Sequence, residues 1–372
     1  MGVITAARER VLLIPFSGLG DLMMHLPLVT ALKQDFDVDV VIERTYEPFG
    51  SFLEAHGILS RYLSCNQSKT LAGFVAKIGF FLTGIDARSY RYIMVYDRPL
   101  FTFLSSMLPS RKVIRYGLLR RTLRGPIGWS PHASAANQTE AVMDFARYLA
   151  YPAANQSYAF PEAVIDGCRR RAHRLLDTFG IDAVGGRLLA ICPFANHPYK
   201  QAPLTLFQKV ARHAVDLKIP VAMIGPSAER PRAEAFRQEL GLPERASFLD
   251  LVGALDWEET VGLLGSSTTF VSNDSGIMHV SLACGTTTVA FFGPTDPDHL
   301  MPKSTQHLHP IFLRLPCQPC WHKGPTGRFR CPDIKKACLE QIDADSVISL
   351  VSDLLVGRQP DDLILSPREK RR

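Results

Sequence analysis

Short apolar runs alternate with segments of helical periodicity along most of the chain. Val11–Phe16 is a continuous apolar run that ends in a glycine-containing turn, and Leu22–Lys33 after it carries apolar residues at helical spacing. This order predicts a buried strand, a turn and a helix, which together open a βα unit. Val38–Glu43 and Tyr92–Asp97 are the next strands that the pattern predicts in this half of the chain.

The same alternation begins again at Arg187. The predicted strands of this half are Leu188–Cys192, Val221–Ile224, Thr269–Ser272 and Thr287–Phe292. The predicted helices are Leu204–Leu217, Arg232–Leu240, Trp257–Leu264 and Ile277–Cys284. Short strands that alternate with helices predict parallel sheets covered by helices on both faces, so the fold class is α/β.

Two such blocks predict two domains, and the length of 372 residues also suits about two domains of 150–200 residues. The blocks meet near Tyr151–Pro161 and the charged helix Arg169–Phe179. We therefore expect a first domain at residues 1–165, a second at residues 185–345, and a closing helix with a basic tail at residues 346–372.

The composition is that of a globular protein, with 46% hydrophobic and 21% charged residues. The 42 basic and 36 acidic side chains give a net charge of +6, which favours an anionic ligand or surface. This excess is too small to indicate a nucleic-acid partner.

The most apolar window, Leu71–Ile85, carries Lys77 and is shorter than the roughly 20 residues that span a bilayer. It predicts an amphipathic helix that is either buried or rests on a membrane. Met1–Arg10 is charged and leads into only a short apolar run, so it predicts no signal peptide and a cytoplasmic location.

A glycine-containing turn follows the first predicted strand, Ser17-Gly18-Leu19-Gly20-Asp21. Glycine lets the backbone approach a ligand, and the amides of the following helix point at negative charge. Asp21 has two interpretations here. It is an acid in a first helical turn, which is ordinary N-terminal chemistry, or it is a functional carboxylate.

The same turn permits a dinucleotide-binding interpretation, in which Glu43 at the end of the second strand holds a ribose. Met23, however, occupies the third glycine position, where close packing of helix on sheet requires a small residue. An NAD-dependent oxidoreductase that uses Gly18 and Gly20 is kept as an alternative.

A second polar motif lies within Val271–His279 and again follows a predicted strand. Ser275 is a good N-cap for the next helix, so Asp274, Ser275 and Gly276 lie at the carboxyl end of the strand beside helix amides. His279 follows one turn later on the same face. This arrangement is suited to the phosphates of a nucleotide-linked ligand.

Three more turns of this half carry polar residues at the same predicted sheet edge. They contribute Asn196 and Lys200, then Glu229 after Gly225-Pro226, then Gly293 and Thr295. Strand-to-helix turns are rich in such residues in any α/β protein, so their shared location, rather than each turn alone, indicates one binding site.

These residues together resemble the glycosyltransferase family 9, or ADP-heptose:lipopolysaccharide heptosyltransferase, family. Asn273-Asp274-Ser275-Gly276-Ile277-Met278-His279 is similar to the family's Asn-Asp-Thr-Gly-x-x-His signature, and Phe292–Pro297 is similar to its continuation. Gly18–Asp21 with Leu26-Pro27 also matches, and the resemblance covers roughly residues 10–355. The departures are Ser275 where Thr is commoner, Ile277 where Pro is frequent, and Ala202 where Trp often follows the lysine.

The resemblance implies a GT-B fold, in which two Rossmann-like domains face each other across a cleft, acceptor side first and nucleotide-sugar side second. It also implies that the closing helix packs back toward the first domain. The implied activity is an inverting, metal-independent transfer of a sugar, with ADP-heptose as the expected donor and a lipopolysaccharide core or related glycan as acceptor. No cofactor is expected for catalysis.

The resemblance also implies roles for individual residues. Asp21 would be the general base, Lys200 the cation at the donor phosphates, and Glu229 a contact to ribose or base. The implied donor-binding residues are Ser17, Gly18, Gly20, Asn196, Lys200, Glu229, Asp274, Ser275, Gly276, His279, Gly293 and Thr295.

Elementary chemistry agrees with this assignment. A carboxylate can remove the proton of the acceptor hydroxyl, and a lysine with helix amides can take up the charge of the departing diphosphate without a metal. Asp35, Asp37 and Asp39 do alternate, but we expect them to form a solvated turn before a strand rather than a metal-binding pair.

A basic run between Arg111 and Arg124 suggests an anionic glycan or glycolipid acceptor. Its candidate acceptor-binding residues are Arg120, Arg121 and Arg124. A solvated loop is the other interpretation of this run. The basic tail Pro367–Arg372 is either a solvated end or a weak contact with anionic lipid, and the second interpretation fits contact with the inner face of a membrane. A non-catalytic glycan-binding relative is the remaining alternative for the whole chain.

Eight cysteines divide into two groups. Cys65, Cys168, Cys192 and Cys284 are scattered among apolar residues and are predicted to be reduced core thiols. The other group is Cys317, Cys320, Cys331 and Cys338. These cysteines lie in a segment rich in Gly and Pro that can bury little apolar surface and would need a cross-link to hold one structure. A structural zinc or iron site, free or redox-active thiols, and disulfides are the three options that the sequence leaves open.

Overall fold

The structure is a computed structural model of the whole chain. The residues that it describes are 8–15, 18–66, 71–96, 113–116, 142–143, 146, 149, 158–181, 186–243, 247–301, 305–321, 331 and 336–358. The chain divides into two compact units, Met1–Tyr158 and Ala159–Arg372. Within the described residues each unit contains a parallel sheet, which confirms the predicted α/β class.

The first unit contains a sheet of five parallel strands. The strands are β1 (Arg10–Ile14), β2 (Asp37–Glu43), β3 (Arg61–Cys65), β4 (Tyr90–Tyr96) and β5 (Val113–Tyr116). The helices are α1 (Leu19–Met24), α2 (Leu26–Leu32), α3 (Glu47–Ala55) and α4 (Leu71–Gly79), which continues as a π-helical turn at Phe80–Gly84. The strand order β3-β2-β1-β4-β5 reverses between β1 and β4, the position where open α/β sheets bind ligands at their carboxyl ends.

The prediction that Asp39 belongs to a solvated turn is wrong. Asp39 lies within β2 and is 1% exposed, and its carboxylate accepts hydrogen bonds from Arg10 and, over 2.7 Å, from the hydroxyl of Tyr90. Arg61 forms a third contact, at 3.2 Å. These residues lie near the amino ends of four neighbouring strands. The buried Asp39 carboxylate therefore links the strands at the edge of the sheet opposite their carboxyl ends.

The apolar segment Leu71–Ile85 is helical as predicted, over Leu71–Gly79 and Phe80–Gly84. Val75 in α4 and Leu82 in the π-helical turn are 61% and 65% exposed, whereas Phe81 is buried in the core. Across the described residues, no helix is both long enough and apolar enough to cross a membrane.

The second unit contains a sheet of six parallel strands in the order β11-β10-β9-β6-β7-β8. They are β6 (Leu189–Cys192), β7 (Val221–Met223), β8 (Phe248–Asp250), β9 (Thr269–Asn273), β10 (Thr288–Phe291) and β11 (Leu308–Ile311). The helices are α5 (Glu162–Thr178), α6 (Leu204–Asp216), α7 (Arg230–Leu240), α8 (Trp257–Ser266), α9 (Gly276–Ala283), α10 (Pro297–Leu300), α11 (Ala337–Glu340) and α12 (Ala344–Leu355). The order reverses between β6 and β9, and every residue of these two central strands is buried, as expected for a parallel sheet covered on both faces.

Helices α5 and α8 approach each other at a glycine. A Cβ atom at Gly262 would lie 2.1 Å from the carbonyl oxygen of Cys168, so this contact requires the absence of a side chain. Arg171 joins the same pair through Glu258, at 2.7 Å, and through Asp256 at the N-cap of α8.

The closing helix α12 packs within the second unit. Val347, Leu350 and Val351 belong to the same core as α6, and Ser352 Oγ lies 2.8 Å from Nε2 of His213 on α6. The expected return of residues 346–372 toward the first domain stays a prediction.

Candidate functional site

Helix α1 begins directly after β1, at the strand reversal of the first sheet. Gly18 is its N-cap with extended backbone, and Asp21 Oδ2 accepts the Gly18 backbone N–H over 3.0 Å. The Asp21 carboxylate therefore helps to cap its own helix, as an acid at the third helical position commonly does. Asp21 and Gly20 are half-buried, and Ser17 lies outside the described residues.

His25 lies one turn after Asp21 and is 3% exposed. Its Nδ1 is 2.7 Å from the Asp21 carbonyl oxygen. Burial lowers the pKa of His25 to about 4, although the hydrogen bond to Asp21 acts in the opposite direction. The imidazole is therefore neutral near pH 7 and, with the proton assigned to Nδ1, donates to that carbonyl.

The centre of the site in the second unit is an ion pair. Lys200 Nζ lies 2.7 Å from Oδ2 of Asp274, and this pair joins the turn after β6 to the carboxyl end of β9. The Thr295 hydroxyl, from the turn after β10, donates to the same oxygen. Asp274 is 3% exposed whereas the Lys200 side chain is 20% exposed, so the ammonium is the member of the pair that a ligand can reach.

Asn273 fixes the turn that carries Lys200. Its Nδ2 donates to the Pro193 carbonyl over 3.0 Å, and its Oδ1 accepts the Ala202 backbone N–H over 2.8 Å. Asn273 therefore contacts both ends of the segment from 193 to 202. Ala202 is 1% exposed, so the position where the family often has Trp is a small, packed residue in this chain.

Helix α9 begins at this ion pair. Ser275 is the N-cap with extended backbone, and its buried Oγ lacks a hydrogen-bond partner among the described residues. The first backbone N–H groups of a helix, here from Gly276 onward, are available to an anion. His279 is 3% exposed, and burial lowers its pKa to about 4, with Asp274 raising it and Lys200 lowering it further.

Glu229 is held by a second cation. Arg232 on α7 lies 2.7 Å from the Glu229 carboxylate and donates to Gln201 Oε1 over 2.5 Å. Gln201 is next to Lys200, so this chain of contacts connects Glu229 with the central ion pair. Asn196 is exposed on the same turn as Lys200.

Gly293 lies where the turns after β6 and β10 meet. A Cβ atom there would be 2.9 Å from the Tyr199 carbonyl oxygen and 3.0 Å from Leu339, so a side chain would separate the two turns. Contacts in the second unit join Lys200, Asp274 and Thr295, and Ser275, Gly276 and His279 follow at the start of α9. Gly293 lies beside the Lys200 turn, Glu229 is connected to it through Arg232 and Gln201, and Asn196 is exposed on that turn. These are the nine predicted donor residues of the second unit.

The second group of cysteines lies beside this site. Burial, and next the neighbouring Cys320, Cys331 and Cys317, raise the pKa of the Cys338 thiol to about 12. No disulfide joins any of the eight cysteines, all of which are among the described residues, and Cys65, Cys168, Cys192 and Cys284 are buried as predicted. Within the described part of the chain, no set of three or more His, Cys, Asp or Glu side chains is placed to hold a metal ion.

Trp321 was not predicted as a site residue. Its ring centroid is 4.8 Å from Lys200 Nζ, and the His197 ring meets it edge-on with 4.8 Å between centroids. Trp321 directly follows Cys320 in the sequence, but no pattern there indicates its contact with Lys200, because the contact joins two loops that are far apart in the sequence. Arg120, Arg121 and Arg124 lie outside the described residues.

The family comparison decides the classification. The profile of Glycosyltransferase family 9 (heptosyltransferase) matches residues 88–327. The chain belongs to this family. The match includes all nine predicted donor residues of the second unit named above and ends before Cys331.

Curated relatives are similar over a shorter segment. The lipooligosaccharide heptosyltransferase 2 of Haemophilus influenzae is 32% identical over 32% of this chain and 34% of its own length. The lipopolysaccharide heptosyltransferase 2 of Escherichia coli is 28% identical over 32% of this chain and 34% of its own length. The matched segment thus spans about a third of these relatives.

Solved structures are similar over nearly the whole chain. The glycosyl transferase family 9 protein of Veillonella parvula has a TM-score of 0.70 at 14% identity and covers 95% of this chain and 99% of its own. E. coli heptosyltransferase WaaC with ADP-2-deoxy-2-fluoro heptose has a TM-score of 0.62 at 18% identity, over 92% and 99%. The iron-containing dodecameric glycosyltransferase TibC of enterotoxigenic E. coli has a TM-score of 0.55 at 13% identity, over 93% and 76%. At these identities the likeness concerns the fold, and it confirms the implied GT-B class.

Proposed function

We propose that this chain is an inverting glycosyltransferase that moves a heptose from ADP-heptose to a lipopolysaccharide core or a related glycan. The observation that carries the proposal is the ion pair of Lys200 and Asp274 beside the Ser275 hydroxyl, which has no hydrogen-bond partner among the residues that the structure describes. Three turns meet there at the carboxyl ends of β6, β9 and β10. Family membership and the name of the WaaC complex support ADP-heptose as the donor.

The donor side of the mechanism uses the second unit. The Lys200 ammonium, the first amides of α9 and the Ser275 hydroxyl would hold the diphosphate and take up its charge as the glycosidic bond breaks. Glu229, oriented by Arg232, would accept hydrogen bonds from ribose hydroxyls. His279 is neutral, so it adds a hydrogen-bonding group and no charge to this site.

The acceptor side uses Asp21 as the general base. As the acceptor oxygen attacks the anomeric carbon from the face opposite the diphosphate, its proton would pass to the carboxylate. The helix cap at Gly18 holds that carboxylate in place before the substrate arrives. No metal or cofactor is required for this step, because the positive charge comes from Lys200 and backbone amides.

The position of Met23 argues against the alternative of an NAD-dependent oxidoreductase. Met23 is 1% exposed and fills the position of the third glycine, so a side chain occupies the space between helix and sheet that the dinucleotide fingerprint keeps open. Titration with NAD tests this alternative. Transfer of labelled heptose tests the alternative of a non-catalytic relative.

The first test of the proposal is ADP binding, measured by isothermal titration calorimetry. Lys200→Ala should weaken it by about 1.5–3 kcal/mol, or roughly 10- to 150-fold, because a charge-assisted contact is lost. Lys209→Ala, which removes the same charge from an exposed position of α6, is the matched control and should bind as the wild type does. Equal affinity for the two variants would contradict the placement of the diphosphate at Lys200.

For the acceptor we propose an anionic glycan or glycolipid presented at the inner face of the membrane. Neutralising Arg120, Arg121 and Arg124 together should raise the Michaelis constant for the acceptor and flatten its dependence on salt. An unchanged Michaelis constant would favour the solvated-loop interpretation.

For Cys317, Cys320, Cys331 and Cys338 we propose a structural zinc or iron site, distinct from the reaction. Metal binding would have to bring these side chains closer together, because the described structure does not place three of them around one point. The spacing of the four cysteines carries this proposal, and the printed name of the TibC structure gives a precedent for iron in that protein. Elemental analysis of protein purified without chelator should find about one metal ion per chain, lost in the double variant Cys317→Ser, Cys320→Ser but kept in Cys65→Ser. Folded, active protein without metal would leave reduced thiols as the explanation.

A further inference from the structure

The segment from Gln318 to Trp321 is fastened to a turn of the donor site. The backbone N–H groups of Cys320 and Trp321 both donate to the Pro294 carbonyl oxygen over 2.9 Å. Gln318 Nε2 donates to the Gly293 carbonyl over 2.6 Å. Gly293 and Pro294 lead directly into Thr295, so these hydrogen bonds fix the start of the Trp321 side chain relative to the central ion pair.

The ring of Trp321 is the second neighbour of the Lys200 ammonium. The distance of 4.8 Å from Nζ to the ring centroid is within the range in which an indole face attracts a cation. The first neighbour is the Asp274 carboxylate at 2.7 Å. The His197 ring lies nearly perpendicular to the indole, precedes Lys200 on the same turn and limits the orientations that the Trp321 ring can adopt.

An aromatic ring and a carboxylate act differently on a lysine. Asp274 already balances the charge of Lys200, so a second carboxylate would make the cluster net negative and repel a diphosphate, whereas a ring face attracts the ammonium without adding a negative charge. A lysine side chain has four flexible carbon–carbon bonds, so a contact that restricts it before the ligand arrives reduces the loss of entropy on binding.

We propose that Trp321 is a positioning residue for Lys200, whose ring holds the ammonium where it meets the diphosphate of the donor. This inference rests on the proposed function, since donor binding is the task for which Lys200 is positioned. It assigns a role in donor affinity to a residue next to Cys320, and it leaves the base at Asp21 unaffected.

Calorimetric titration of the full-length chain with ADP tests the assignment. Trp321→Leu should weaken ADP binding by roughly three- to thirty-fold, and Trp321→Phe by less, because phenylalanine retains an aromatic face of weaker attraction. Phe312→Leu is the matched control. It removes the ring that lies 5.6 Å from the guanidinium carbon of Arg314, a contact of the same kind on a different cation, and should leave ADP affinity unchanged.

A double-mutant cycle separates positioning from a general structural effect. In the Lys200→Met background, Trp321→Leu should cause no further weakening, because the cation on which the ring acts is gone. Losses that multiply would overturn the assignment. If Trp321→Leu does not fold, the same cycle with Trp321→Phe gives the same decision.

Two failures are distinguishable in this experiment. If the wild-type chain binds neither ADP nor another nucleoside diphosphate, the proposed function fails and the assignment of Trp321 fails with it. If the wild type binds ADP and Trp321→Leu binds it equally well, only the assignment of Trp321 is overturned.

Discussion

The Asp21 carboxylate combines a structural contact with its proposed chemistry. Because Asp21 Oδ2 accepts the Gly18 N–H, the side chain is held at the start of α1 in the absence of substrate. An asparagine retains an oxygen that can accept this hydrogen bond, but it cannot remove a proton. The two tasks can therefore be separated by a single substitution.

Asp21→Asn should lower the turnover number at least a hundredfold while ADP affinity and folding are retained. Turnover is measured with labelled ADP-heptose and affinity by calorimetry. Asp35→Asn, at an exposed position of the same unit, is the control and should turn over normally. A turnover number that survives the change at Asp21 would exclude this residue as the base.

Two buried histidines make stability depend on pH. The folded-state pKa values of His25 and His279 are about 4 against 6.5 in a model peptide, so between those values the unfolded chain binds more protons than the folded one. Each histidine should contribute up to about 3 kcal/mol above pH 6.5, and this contribution should fall as the pH is lowered toward 4.

The variants His25→Gln and His279→Gln test this pH dependence by urea unfolding at pH 7 and pH 4.5. Each variant should lose less stability than the wild type between the two pH values, because it lacks a group that must be deprotonated to fold. Identical losses in the wild type and a variant would show that the histidine in question is solvated.

Single residues also show what the sequence could not reveal. The strand-to-helix turns predicted Lys200, Asp274 and Thr295, since polar residues at the carboxyl ends of parallel strands meet at one edge. Trp321 and Arg232 carry no such signal. Their roles depend on the path of a loop and on the register of a helix, which no local pattern encodes.

At the scale of elements, the α5–α8 pair depends on one glycine. Gly262→Ala should destabilise the second unit by at least about 2 kcal/mol, because its Cβ would lie 2.1 Å from a backbone oxygen that cannot move without shifting α5. Gly265→Ala in the same helix is the control.

A Cβ at Gly265 would meet the Ile165 side chain at 2.9 Å, and a side-chain atom can yield, so the cost should be clearly smaller. The free energy of unfolding in urea, followed by circular dichroism, compares the two variants. Equal stability of both would mean that α5 and α8 are less closely packed than this contact indicates.

The strands that the sequence predicted and those that it missed differ in position. Continuous apolar runs revealed β1, β2, β4, β6, β7, β9 and β10, all of which have a neighbour on each side. The missed strands β3, β5, β8 and β11 are the outer strands of the two sheets. Most residues of β3, β8 and β11 are only partly buried, and β11 also contains a proline. These edge strands therefore lack the continuous apolar run from which the sequence could predict them.

At the scale of the whole molecule, the proposed tasks are divided between the units. Asp21 belongs to the first unit, whereas the Lys200 pair and its neighbours belong to the second. Donor affinity should therefore depend chiefly on residues of the second unit, with Ser17, Gly18 and Gly20 as the predicted donor contacts of the first unit, and proton removal should depend on the first unit. The prediction of two α/β blocks followed from the repeated alternation of strand and helix patterns, which depends only on local periodicity.

The Lys200–Asp274 pair has a consequence for the order of folding. Its members are 74 positions apart, and Thr295 and Trp321 lie still further along the chain. During synthesis, the lysine and its turn therefore leave the ribosome long before their partners exist. If Lys200 holds the donor diphosphate as proposed, a nascent chain should not retain a nucleotide until the sheet has closed around β9 and β10, so ADP binding would report that this part of the second unit has folded.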